Sequence, residues 1–185
     1  MSKKDTIINV ATTLFNKYSY NAVGIDKIIS ESNVAKMTFY KYFQSKENLI
    51  EACLAKRNLD IQSAIEMKIV DSDTPIQKLN NIYNWFIDWM LSDDFNGCMF
   101  NKASLEVLHT YPSARKPIDD YRNWLACLIQ GLFIELKIKN YQDSTSLFIS
   151  ILDGLIVGLT IGRKNISPSE TWSYVLKFIE IEEKL

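Results

Sequence analysis

Residues 24–48 read GIDKIISESNVAKMTFYKYFQSKEN, and the rest of the chain is organised around them. Ile25, Ile28 and Ile29 stand at i, i+3, i+4, the spacing of one helix face, and predict a short helix over 25–32. Asp26 suits its start, where a carboxylate meets the positive end of the helix dipole. Asn33 falls where the chain must reverse, and asparagine accepts the left-handed backbone that closes a helix. Val34 then fills the space between two helices. A second helix is expected over 36–43. At about 100° per residue, Phe39 and Phe43 point to a core, while Met37, Thr38 and Lys41 point to solvent or a partner, flanked by Tyr40 and Tyr42. That outward face carries a methyl, a hydroxyl, an ammonium and two phenols. Such groups suit a DNA duplex, with Thr and Lys reaching base edges and Tyr and Lys reaching phosphates. Ser45 caps a third helix that has Lys46 in its first turn. A cation is unfavourable there unless a phosphate is held by the helix N–H groups and Lys46 together.

The run Ile28-Ile29, Val34, Thr38 through Phe43, Ser45-Lys46-Glu47 and Leu49-Ile50 resembles the N-terminal DNA-binding domain of the tetracycline-repressor (TetR) family of bacterial regulators. The phrase Gly97-Cys98-Met99-Phe100 is similar to one found in some members. The chain departs from the family pattern where Val23 replaces a capping Thr, Asn33 a turn Gly, and Tyr42 a recognition-helix His. The resemblance implies an all-α fold of about nine helices. It implies a helix-turn-helix DNA-binding head over 1–50, with the motif itself at 24–43, and a ligand-binding and dimerisation body over 51–185. Met37, Thr38 and Lys41 then face bases in the major groove, and Lys36, Tyr40, Tyr42 and Lys46 face phosphates. A two-fold dimer would set two such helices about one DNA turn (~34–36 Å) or more apart and read a near-palindrome.

Charge is distributed in the same sense. The 185 residues carry a net charge of −1, too little for a general polyanion binder. Residues 1–60 hold nine Lys/Arg against six Asp/Glu, and residues 61–185 hold twelve against sixteen. A basic head on an acidic body fits a protein that presents one end to nucleic acid. The three cysteines, Cys53, Cys98 and Cys127, have no motif spacing, which argues against a disulfide scaffold and against structural zinc. No His-Glu metal motif, phosphate loop or Ser/His/Asp set is legible, and a single His leaves little acid–base equipment near neutral pH. An enzyme is therefore not expected, nor a cofactor or metal. The N-terminus reads as an amphipathic helix, not a signal peptide. The most apolar stretch, Leu147–Ile161, reads as too short for a bilayer span and contains Asp153. A cytoplasmic protein with no membrane partner is expected.

The remaining helices are expected at 2–18, 46–67, 76–91, 98–109, 113–139, 143–163 and from 168 to the end. Ser2 with Asp5, Thr74 before Pro75, and Ser167-Pro168 with Glu170 mark three of the starts. In the apolar helix after residue 143, Gly154, Gly158 and Gly162 recur every fourth residue and suggest close approach of a second helix. With Trp172 and Leu176 of the last helix they form the expected dimer interface, a four-helix bundle with two helices from each subunit. Trp85, Trp89, Met99, Phe100, Asn101, Ser104, Tyr121 and Trp124 are the candidate ligand-binding residues, aromatic with a few polar groups, and suit a small, mostly apolar inducer. Each of them is also an ordinary core residue by type. His109 reads as structural or exposed. The expected function is a homodimeric repressor released from its operator by that inducer. The alternatives are a helical protein-interaction module, or a redox- or electrophile-responsive regulator acting through Cys98, which otherwise reads as a small buried apolar residue.

Overall fold

The computed structural model describes residues 2–162 and 167–184. Among the described residues the chain is all helix: α1 (Lys3–Tyr18), α2 (Ile25–Ser32), α3 (Lys36–Tyr42), α4 (Lys46–Ile69), α5 (Pro75–Met90), α6 (Met99–Glu106), a 3-10 turn (Pro112–Ala114), α7 (Arg115–Glu135), α8 (Tyr141–Thr160) and α9 (Pro168–Lys184). The caps form where polar residues precede apolar runs. Ser2 and Asp5 make a reciprocal capping box on α1, and Thr74 and Gln77 make one on α5. The Asn48 N–H donates to Ser45 Oγ at 3.1 Å, and the Glu170 N–H to Ser167 Oγ at 3.4 Å.

Two compact units arise from interleaved segments. The first comprises Met1–Ile61 and Cys98–Tyr121, the second Gln62–Gly97 and Arg122–Leu185. The expected boundary at residue 50 falls inside α4. In the first unit α1 packs across α2 and α3. Its core holds Ile7, Phe15, Ile28, Phe39, Leu49 and Ile50, none of them solvent-exposed. In the second unit α5 packs on α8 and α9. Aromatic contacts bind it: Tyr83 with Trp172 at 5.2 Å between ring centroids, and Phe133 with Phe148 at 6.2 Å.

Several helices are shorter than their apolar periodicity suggests. The helix expected at 98–109 stops at Glu106, because Val107 leaves helical geometry at φ −131°. The long helix expected at 113–139 begins as a 3-10 turn and ends at Glu135, with Lys137 in the left-handed region at φ 61°. Most instructive is α8, which ends at Thr160; the expected end at Arg163 lies outside the described residues. Gly162 sits beyond the helix at φ 78°, so it belongs to the chain reversal and not to a continuous glycine face. Conversely, α8 starts earlier than expected and is a 20-residue apolar helix, long enough to cross a membrane by length and composition. It is nevertheless tied into its unit. Arg122 of α7 grips Asp153 with two hydrogen bonds, Nη1 to Oδ2 at 2.9 Å and Nη2 to Oδ1 at 3.2 Å.

Candidate nucleic-acid interface

The turn between α2 and α3 is built by Asn33, which adopts φ 51°, ψ 41° and sends its N–H back to the Ile29 and Ser30 carbonyls. Ala35 then starts α3 in extended geometry, with the Thr38 N–H donating to the Ala35 carbonyl at 2.8 Å. The α2 N-cap is Gly24, which offers no side-chain bond, while Val23 before it is fully buried. Val23 therefore contributes packing where a hydroxyl cap could have stood.

The faces of α3 separate as its sequence predicts. Phe39 is 0% and Phe43 3% exposed, whereas Met37 is 86%, Tyr40 43% and Tyr42 39% exposed. Lys36 and Lys41 are exposed and Thr38 half-buried. Lys36 is 3.4 Å from Asp26 of α2, an exposed pair that a phosphate can displace at little cost. Edge-to-face packing of Phe39 on Tyr40, 5.3 Å apart, anchors the exposed phenol to the core beneath it. The result is a short, rigid helix with apolar residues below and mixed donors and an apolar methyl above, the composition that reads base edges and grips phosphates.

Lys46 behaves differently. It is half-buried at the start of α4, with Nζ 6.0 Å from the centroid of the Phe15 ring. Burial lowers its ammonium from the usual lysine range, and the Glu106 carboxylate opposes that shift.

Sequence reasoning missed a polar clasp between α6 and the helix-turn-helix. Lys102 Nζ donates to the Asn16 carbonyl at 2.7 Å, serving one of the unpaired carbonyls at the C-terminal end of α1. In return, Asn21 Nδ2 donates to the Glu106 carbonyl, the last of α6, at 3.2 Å. Each helix end is thus capped by a residue of the other segment. Between them the Tyr20 N–H donates to Glu106 Oε2 at 2.9 Å, and the buried Tyr20 hydroxyl donates to the Met99 carbonyl at 3.1 Å. The Ser113 N–H closes the set on Glu47 Oε1 at 3.0 Å. One signal was available: a large aromatic, Tyr20, inside a turn otherwise made of Ser19, Asn21, Ala22, Val23 and Gly24.

The candidate ligand residues divide between the two units. Met99, Phe100, Asn101 and Ser104 lie on α6 and Tyr121 on α7 in the first; Trp85 and Trp89 on α5 and Trp124 on α7 lie in the second. Phe100 and Tyr121 stack at 4.0 Å, 1% and 2% exposed. Trp85 and Trp89 stack at 6.3 Å, and Phe95 meets Trp89 edge-on at 5.1 Å. A surface cleft in the first unit is lined by Asn9, Val10, Thr13, Leu14 and Glu31, none of which is in the ligand set. Of the dimer candidates, Gly158 is buried, Gly154 is exposed with open space where a Cβ would sit, Leu176 is half-buried, and Trp172 packs on Tyr83 of its own chain. Cys98 is 6% exposed at the start of α6, and His109 is exposed.

Comparison with known proteins agrees with this geometry. Residues 7–53 match the profile of the family described as "Bacterial regulatory proteins, tetR family". The Transposon Tn10 TetC protein of Escherichia coli is 22% identical over 89% of this chain and 82% of its own. The HTH-type transcriptional repressor DhaR of a Mycobacterium species is 26% identical over 68% and 65%. A TetR-family transcriptional regulator from Streptomyces coelicolor superposes with a TM-score of 0.82 at 20% identity, covering 97% of this chain and 93% of that one. The profile match assigns residues 7–53 to a tetR-type helix-turn-helix DNA-binding head, and the body shares the all-α fold of the superposed regulator; over most of its length the chain is similar to TetR-family transcription regulators.

Proposed function

We propose that this regulator is a cytoplasmic homodimeric repressor that binds a near-palindromic operator and is released by a small, mostly apolar ligand. In this reading residues 1–50 carry DNA recognition and residues 51–185 carry ligand binding and dimerisation. The observation that carries it is the division of α3, with Phe39 and Phe43 sealed below and Met37, Tyr40 and Tyr42 presented above. Repression is favoured by the name of the relative DhaR, a transcriptional repressor. Ligand release is a population shift, in which the inducer binds the DNA-incompetent arrangement better than the competent one.

Dimerisation is supported by α8. Its apolar window is only 39% buried, although the helix is apolar enough for a core. Leu147, Gly154, Val157 and Ile161 leave one outward stripe uncovered, with Leu147 41%, Val157 52% and Ile161 65% exposed. An apolar helix stripe of this kind gains by covering itself with the same stripe of a second copy.

Selection of DNA from a random pool by the purified protein, at a stated moderate salt concentration, tests the reading. A near-palindromic site is expected, with selective binding lost on Thr38→Ala and binding to all sequences weakened on Lys46→Ala. Mass spectrometry of the denatured sample reveals a co-purified inducer. No enrichment from ligand-free protein would overturn sequence-specific recognition.

A further inference from the structure

Exposed lysines are held in two ways in this chain. Lys36, Lys68 and Lys116 each meet a carboxylate, at 3.4, 3.4 and 2.7 Å. Lys17 and Lys27 meet an aromatic ring instead. Lys27 Nζ is 4.1 Å and Lys17 Nζ 5.3 Å from the centroid of the Tyr18 ring, which is itself 47% exposed. Among the described residues neither of the two is in an ion pair. The distinction bears on charge. A carboxylate neutralises the ammonium it holds, whereas the face of a ring fixes an ammonium and leaves its net charge intact. Two full positive charges therefore share one ring, within a screening length of about 10 Å of each other. Lys17 lies in the last turn of α1, where a cation suits the negative end of the helix dipole, so the fold alone explains it. Lys27 has no such explanation. It lies in the first turn of α2, the positive end, where a cation is unfavourable. The residue before it, Asp26, reaches Lys36 Nζ at the start of α3, so this corner borders the first turn of the helix that carries Met37, Thr38 and Lys41.

We propose that the α1–α2 corner is a second contact with the DNA backbone, beside the outward face of α3. Lys17 and Lys27 bind phosphate there, and Tyr18 is a positioning residue that holds the two ammoniums for it. A polyanion relieves the repulsion between two charges that no carboxylate neutralises, and it releases counterions as it does so. The proposal rests on the reading of α3 as the DNA-facing helix, because the corner borders that helix. If the two lysines only packed α1 against α2, removing the charge of Lys27 would leave the salt dependence of DNA binding unchanged.

The test uses the full chain and a mixed-sequence duplex, because phosphate contacts are independent of sequence. Affinity is measured by fluorescence anisotropy over a salt series. Lys27→Gln is expected to weaken binding by about threefold to tenfold at low salt and to reduce the slope of log affinity against log salt by about 1. Removing Lys17 as well is expected to reduce that slope by about 2. Lys139→Gln takes the same charge from the second unit and is expected to change neither quantity. Tyr18→Phe keeps the ring face and should bind as the parent does, whereas Tyr18→Leu should bind more weakly. Lys27→Gln with no more effect than Lys139→Gln overturns the corner contact. Tyr18→Leu binding like the parent, or Tyr18→Phe as weak as Tyr18→Leu, overturns the positioning role of Tyr18. Lys41→Gln on α3 separates the two readings. If it weakens binding while Lys27→Gln does not, the corner contact fails alone; if neither weakens binding, α3 as the DNA-facing helix fails with it.

Discussion

The two units solve the problem of a finished surface in opposite ways. The first is completed by polar side chains: Lys102, Asn21, Glu106 and Tyr20 pair the loose backbone ends of α1 and α6. What it leaves outside on α3 is polar or amphipathic apart from Met37, and sits on the buried Phe39 and Phe43. The second is assembled from aromatic contacts and a half-buried ion-pair fork, and it leaves an apolar stripe on α8 uncovered. A unit whose backbone is satisfied within one chain can afford to show charge to a polyanion. A unit with a bare aliphatic stripe is stable in water at high concentration only when something apolar covers it. On the proposed reading, the partner of each unit is encoded in what its own chain has not satisfied.

The largest expected effect falls on the inner face of α3. Phe39 is fully buried and contacts the rings of both Tyr40 and Phe43. Phe39→Ala should destabilise the protein by about 3–5 kcal/mol through lost burial and a cavity. Met37, 86% exposed on the opposite face, should change stability by no more than about 0.5 kcal/mol when cut to Ala, while DNA affinity falls. Urea unfolding and DNA titration of the two variants separate fold from recognition. Equal losses of stability would mean that α3 does not divide into an inner and an outer face.

Next comes the α8 stripe. Val157 is 52% exposed in the single chain, so Val157→Lys should leave the protomer folded. If the stripe is the interface, a buried unpaired ammonium should weaken association by about a hundredfold or more, read by sedimentation over a concentration series. An unchanged dimer would place the interface elsewhere on the molecule.

The contrast between the units also marks what the sequence made legible. The α3 faces, the left-handed Asn33 and the caps at Ser2, Ser45, Thr74 and Ser167 are local, set by residues within about one helical turn of each other. The clasp was not legible as a pairing: Tyr20 stands out as a large aromatic in a turn, but its partner Glu106 is 86 residues away and looks ordinary where it stands. Gly162 failed for a related reason. A four-residue spacing says which residues share a helix face only while the helix lasts, and it is silent on where the helix ends. The candidate ligand residues were chosen by side-chain type, and type alone does not distinguish the tightly stacked Phe100–Tyr121 pair from the lining of an open pocket.

The last contrast is a pair of thiols, Cys53 in the first unit and Cys127 in the second. Cys53 is fully buried in the first, its Sγ 3.7 Å from the Ile8 carbonyl, and burial pushes its thiol up to about 12. Cys127 in the second is exposed. An alkylating reagent at mild alkaline pH should therefore modify Cys127 in the native protein and reach Cys53 only through unfolding. The same burial makes stability depend on pH. The unfolded chain gives up the Cys53 proton near pH 8.5, whereas the folded chain keeps it to about 12, so in that interval the folded state binds more protons and stability falls as pH rises. The contribution is intact below about pH 8.5 and is lost at up to about 1.4 kcal/mol per pH unit above it. Tyr20, raised by burial, acts in the same direction at higher pH; Lys46 and Lys102, lowered by burial, act in the opposite direction below about pH 10.4. Only a difference measurement isolates the thiol. The stability gap between the parent protein and Cys53→Ala, followed by urea unfolding from about pH 8 to 11, should narrow steadily as pH rises. A constant gap would mean that the thiol ionises as readily in the folded head as in the open chain, and that the core beneath the recognition helix is wetter than its packing implies.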